Sequence, residues 1–164
     1  MKRVSGNQLE TIKPFFEAAA QEAENATCRR AKCGAVIVKN NLIIGRGYNS
    51  PAGDDESQRV CDEVWDRSIK PKYDLTCCVH AEWRAVLDAC KNNAQFIGGS
   101  VLYFMRIDHE GNFTDAGAPF CTVCSRITMD AGVAEFALWN NDGADIYPLD
   151  EYNAESYAFY KPKP

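Results

Sequence analysis

Two short fragments constrain this chain more than anything else in it: His80-Ala81-Glu82 and, about 40 residues further on, Cys121-Thr122-Val123-Cys124. The first offers one imidazole and one carboxylate, the second two sulfurs at i and i+3. On a helix those sulfurs are neighbours, so both can reach one ion. One histidine and two cysteines make three protein ligands and leave a fourth position open, which separates a catalytic zinc site from a closed structural one. A fold that satisfies this pattern must bring two helix starts, distant in sequence, to one point. Helix N-termini favour thiolate over thiol, the form that ligates. The two thiolate charges then offset the repulsion between a cation and two converging helix starts.

Glu82 lies two residues past His80, which is not a same-face spacing. It is expected beside the open position rather than on the ion. Zinc lowers the pKa of a bound water towards neutrality, and an adjacent carboxylate can take that proton and deliver it to a leaving group. Singly, the fragments say little: His-x-Glu is weak, and redox pairs and structural zinc knuckles share Cys-x-x-Cys. A redox pair usually follows a strand in a thioredoxin-like unit, a context missing here.

The bulk properties set outer limits. At 164 residues, 46% apolar and 25% charged, the chain reads as one ordinary globular domain over 1–164. A domain of that size buries roughly two-thirds of its unfolded surface. A net charge of −5 argues against a sequence-independent grip on DNA or RNA, which needs an excess of Lys and Arg. Met1 to Glu10 holds no apolar signal region, and no apolar run approaches the ~18–20 residues that span a bilayer. The expectation is a cytoplasmic protein without membrane association. In that compartment the eight cysteines read as thiols or metal ligands rather than a disulfide framework.

Residues 9–26 carry Leu9, Ile12, Phe16, Ala19, Ala20 and Ala23 at helical spacing, with Pro14 setting the start near Lys13. Cys33–Val38 and Leu42–Tyr48 read as paired strands around an Asn40-Asn41 turn, since Asn tolerates positive φ. Residues 49–78 break every periodicity and form a long inserted loop, with room for a short helix around Ser57–Asp66. Val79, Trp83, Val86, Leu87 and Cys90 form the next helical stripe. Strands follow at Ser100–Arg106 and Val133–Trp139, the first preceded by Gly98-Gly99. Between them come a loop over 107–119 and a helix over Cys121–Ala131, capped by Gly132. A last helix is placed at Tyr152–Tyr160. This order implies a mixed sheet with helices on its faces.

The same fragments match the zinc deaminase signature H-x-E…P-C-x-x-C, with the proline one residue early, in Pro119-Phe120-Cys121. The chain resembles the cytidine and deoxycytidylate deaminase superfamily, and within it the deoxycytidylate deaminase type. Cys33-Gly34-Ala35-Val36-Ile37-Val38 and Gly45-Arg46-Gly47-Tyr48-Asn49-Ser50-Pro51 carry the likeness too, as do His80-Ala81-Glu82 and Cys121-Thr122-Val123-Cys124-Ser125. The resemblance implies a three-layer α/β/α sandwich with a mixed sheet of four to five strands, the last a brief one near Asp145–Tyr147. It implies Zn2+ on His80, Cys121 and Cys124, Glu82 as proton shuttle, Asn49 against the sugar or base, and the Ala81 backbone N–H on a ring carbonyl. It further implies a homo-oligomer, and some relatives hold a second, structural zinc where this chain has Cys61, Cys77 and Cys78.

Together these features point to hydrolytic removal of an amine from a small nucleotide or nucleoside, dCMP or a related cytosine compound foremost. Two other readings stand beside it: a deaminase acting on bases within nucleic acid, which needs a basic track with stacking aromatics, and a non-enzymatic zinc-stabilised binding module, which needs a fourth protein ligand. Arg59, Arg67, Lys70 and Lys72 are either a solvated loop or part of a phosphate clamp. Cys28, Cys33, Cys61, Cys77, Cys78 and Cys90 are expected to be mostly small buried apolar groups.

Overall fold

Asn40 and Asn41 both take positive φ, 51° and 61°, the backbone that closes a two-residue type I′ hairpin. The runs on either side pair as expected. The structure, a computed structural model, describes residues 1–61, 63 and 76–159. In chain order it contains strand β1 (Lys2–Val4), helix α1 (Asn7–Glu24), strands β2 (Lys32–Lys39), β3 (Leu42–Tyr48), β4 (Ser50–Pro51) and β5 (Cys78–Val79), and helix α2 (Ala81–Asn92). Strands β6 (Val101–Ile107) and β7 (Phe113–Thr114), helix α3 (Thr122–Asp130), strands β8 (Glu135–Asn140) and β9 (Gly143–Pro148) and helix α4 (Leu149–Ala158) follow.

Seven strands form one mixed sheet in the order β1-β9-β8-β6-β2-β3, with β7 paired to the end of β6. β6 and β8 run parallel, joined by a crossover through α3, and the other pairs are antiparallel. Both faces of the central strands are apolar because both are covered. Ala35, Ile37, Leu102, Phe104, Phe136 and Leu138 pack against α2, α3 and α4. Their sequence neighbours Val36, Val38, Tyr103, Met105, Ala137 and Trp139 pack against α1. This strict alternation is the period of two that a strand imposes. The three-layer sandwich is as expected, but the sheet is wider than four to five strands. The brief strand expected near Asp145–Tyr147 is β9, six residues long, while β1 and β7 are additions too short to carry a periodic signal.

Several boundaries differ for identifiable reasons. α1 begins at Asn7, so Pro14 sits inside it. Pro14 lies on the exposed side, where the Glu10 carbonyl it leaves without a donor faces water, and buried Leu9 and Phe16 hold the helix to the sheet on either side of it. α2 begins at Ala81 and buries Ala81, Glu82, Ala85, Val86 and Ala89; Val79 belongs to β5, and Leu87 and Cys90 are exposed. The small residues are chosen by closeness: a Cβ on Gly47 would stand 2.3 Å from the Ala81 carbonyl oxygen, and one on Gly45 2.3 Å from that of Ala85. The last helix starts at Leu149, three residues early.

Within 49–78 the chain pairs β4 with β5 and makes 3₁₀ turns at Ala52–Asp54 and Glu56–Gln58. The helix expected over Ser57–Asp66 is replaced by the second turn up to Gln58, and its part beyond Cys61 lies largely outside the described residues. Arg84 on α2 fastens this segment, donating to Asp54 Oδ1 at 2.9 Å and to the Pro51 carbonyl at 2.8 Å. α3 ends as expected: Gly132 has φ 88°, with Gly132 N–H on the Met129 carbonyl and Val133 N–H on that of Thr128. Among the described residues no helix is long and apolar enough to cross a membrane.

Candidate active site and metal centre

His80 immediately precedes α2 in extended conformation, and Cys121 caps α3, its sulfur accepting from Cys124 N–H at 3.3 Å. Both helices lie on the same face of the sheet, and their starts converge. His80 Nδ1 stands 3.1 Å from Cys124 Sγ and 3.6 Å from Cys121 Sγ. Those separations straddle the ~3.5 Å expected between nitrogen and sulfur ligands spaced tetrahedrally about one zinc. The two sulfurs are closer, at 2.7 Å, so seating an ion between them spreads the pair. One nitrogen and two sulfurs within 4.8 Å form a donor set of three, the composition of a zinc site with a free position.

The electrostatics suit a cation. A hydrogen bond from Cys124 and then one from His80 hold the Cys121 thiol down to about 4, against a burial that would raise it. The same contact with Cys121 lifts His80 to about 9. Cys124, wholly buried, is pushed up by that burial and by sharing a proton with Cys121. Glu82, only 6% exposed, is raised above the usual carboxylate range, first by burial.

All of this opens onto a cavity of about 480 Å³. His80, Ala81, Glu82, Trp83 and Cys121 line it, as do Asn49 and Cys33. Trp83 stacks on His80, ring centroids 5.4 Å apart. Ala81 opens α2, so its amide belongs to the first turn, where N–H groups have no carbonyl upstream in the helix. Asn49 is buried, its Oδ1 accepting from Cys33 N–H at 2.8 Å and its Nδ2 donating to the Ala31 carbonyl at 2.9 Å. It thus shapes the cavity wall as well as facing it. A second depression, of about 390 Å³ on the outer side of α2, contains none of these groups.

The choice between a solvated loop and a phosphate clamp can be followed at Arg59 alone. Arg59 is spent on Glu56, Thr27 and Cys61, and Arg67, Lys70 and Lys72 lie outside the described residues. Among the described residues the cations that line the cavity are Arg30 and Arg106, which no motif marked; the one trace of Arg106 is a charge ending an otherwise apolar strand. The remaining thiols also correct the expectation of burial. Cys33 alone is buried, Cys90 is exposed and the others are half-buried. Cys61 and Cys78 converge with Cys28, all within 4.8 Å, while Cys77 stands 3.4 Å from Cys61 and 3.8 Å from Cys78. Despite burial, hydrogen bonds from Cys77 and Arg59 hold the Cys61 thiol below its ordinary value.

Residues 9–139 match the family model described as the cytidine and deoxycytidylate deaminase zinc-binding region. The chain belongs to that family. It is 24% identical over 143 residues to the deoxycytidylate deaminase of Schizosaccharomyces pombe, matching 85% of this chain but spanning only 38% of the yeast protein's length. It is 26% identical over 125 residues to the deoxycytidylate deaminase of Mycobacterium phage D29, covering 73% of this chain and 86% of the phage protein. Among solved structures, the dCMP deaminase of cyanophage S-TIM5 in complex with dCMP and dUMP superposes with a TM-score of 0.54 at 24% identity, over 77% of this chain and 79% of the other. The cytidine deaminase of Burkholderia pseudomallei does so with 0.54 at 20%, over 85% and 94%. Both share the fold.

Proposed function

We propose that this chain hydrolyses the exocyclic amine of a small cytosine nucleotide, dCMP foremost, with zinc held by His80, Cys121 and Cys124. The observation that carries the reading is the convergence of those three donors, with no fourth among the described residues, beside buried Glu82 on the wall of a nucleotide-sized cavity. Three donors favour an enzyme over a closed binding module. The charge of −5 favours a small substrate over a nucleic acid. The names of the yeast and phage relatives support dCMP among cytosine compounds.

Bound there, zinc lowers the pKa of a water towards neutrality and polarises it as a nucleophile. The chain supplies the rest. Glu82, raised by burial, accepts one water proton and passes it to the ring nitrogen, then takes the remaining hydroxyl proton as the carbonyl forms and hands it to the departing amine. The overall exchange consumes water and releases ammonia, turning the C–NH₂ carbon into a carbonyl. Ala81 N–H holds the ring carbonyl, Asn49 abuts the sugar, and Trp83 keeps the His80 ring in place while closing the cavity to bulk water. Glu82→Ala should keep zinc at this site and lose deamination by several orders of magnitude, read by ammonia release from dCMP and by metal analysis. A mutant that stays active overturns the mechanism.

The resemblance to relatives with a second zinc finds matching residues in the other thiol group. Cys28, Cys61 and Cys78, with Cys77 as a fourth sulfur close by, fit a closed structural site, the all-thiolate composition that zinc takes where it only stabilises.

A further inference from the structure

Arg106 stands out among the groups the chemistry above leaves unused. It follows Leu102 and Phe104 on the face of β6 that looks towards α2 and α3, so the period of two delivers a guanidinium where two apolar side chains precede it. Its backbone is held from both sides: it is in register with Cys33 on β2 and with Thr114 on β7, whose hydroxyl donates to the Arg106 carbonyl at 3.1 Å. The side chain is half-buried on the cavity wall, and its Nε is shut off from solvent with no partner. A buried N–H left unpaired is costly unless a ligand takes it.

The surroundings say what kind of ligand. Among the described residues no carboxylate forms an ion pair with Arg106. Cys33 opposite is a thiol pushed up to about 12 by burial and then by Glu82; the Arg106 side chain meets it through a hydrogen bond that lowers it, and Cys33 supplies no carboxylate. The other cavity arginine, Arg30, is committed to the Cys61 carbonyl at 3.0 Å. Among the described residues the one carboxylate lining the cavity is Glu82, buried beside the metal donors. One cavity is thus lined both by the proton carrier Glu82 and by a guanidinium with no ion-pair partner among the described residues.

We propose that Arg106 binds the 5′-phosphate of the substrate and sets the preference for a nucleotide over a nucleoside. This rests on the deaminase reading for its substrate class. A guanidinium fork matches two phosphate oxygens at once, a geometry that lysine does not reproduce.

The test compares wild type, Arg106→Gln and Arg106→Lys on dCMP and deoxycytidine. Arg106→Gln should raise KM for dCMP about 10- to 100-fold, the loss of a charge-assisted contact, with kcat and the constants for deoxycytidine nearly unchanged. Arg106→Lys should fall between, and it serves should the glutamine variant not fold. Equal losses on both substrates, or none on dCMP, overturn the assignment. Calorimetric titration with dUMP and deoxyuridine needs no turnover and separates the two readings. Wild type should bind dUMP more tightly, and Arg106→Gln should erase the difference. A chain that deaminates nothing yet shows that pattern refutes the deaminase reading and keeps Arg106; a wild type indifferent to the phosphate refutes Arg106.

Discussion

Asn49 ties two backbone positions together with a single amide, one at Cys33 and one at Ala31, and thereby fixes where β2 begins under the cavity. Asn49→Ala strands a buried N–H and a carbonyl, and should cost about 2–3 kcal/mol in denaturant unfolding, beyond any effect on substrate affinity. A loss within the ordinary surface range of about 0.5 kcal/mol would show that water replaces the amide. At this scale the sequence was legible where chemistry dictates residue type at short spacing. His80, Cys121, Cys124 and Glu82 could be read because ligation and proton transfer admit few side chains. Arg106 and Cys28 could not. Each reaches the cavity from a different strand or loop, and no local spacing links either to the residues it meets.

Helix α2 owes its position to two missing side chains. A Cβ on Gly47 would stand 2.3 Å from the Ala81 carbonyl oxygen and 2.5 Å from the Ala85 nitrogen, both backbone atoms that cannot swing aside. Gly47→Ala should therefore destabilise by about 2–4 kcal/mol. Because His80 heads the displaced helix, zinc retention should fall along with Tm. Dialysed metal content and thermal melts measure the two together, and a variant with unchanged values would contradict the close packing. Turn chemistry made one element boundary plain: Asn40-Asn41 announced its hairpin, and Asn141-Asp142, with φ of 46° and 54°, carries the same signal between β8 and β9. β1 and β7 left no such trace. Three-residue and two-residue strands exist only through the partners they pair with, β9 and β6. The stripe through Val79, Leu87 and Cys90 misled for a related reason, since closeness to glycine selected alanines for the buried face.

Across the whole molecule two donor groups flank one cavity, so metal content should report on both. The purified chain should carry two zinc ions. Cys61→Ser should retain one together with most of the deaminase activity, at a lowered Tm, since a metal that binds only the folded state stabilises it. One ion in the wild type would remove the structural site. Strand order was the least legible property, because the parallel pairing of β6 with β8 brings together segments separated by all of α3 and its preceding loop. That connection has a wider consequence. The donors and Glu82 stand at helix starts braced by the sheet, whereas Arg30, Cys61 and Phe120 come from the connections around the opening and Arg106 from a strand end. On the proposed assignments, reaction and recognition fall to separable parts of the chain. Exchanging residues 108–118, which include Thr114 and through it bear on Arg106 but stop short of Cys121, offers a route to new specificity that leaves the metal donors in place.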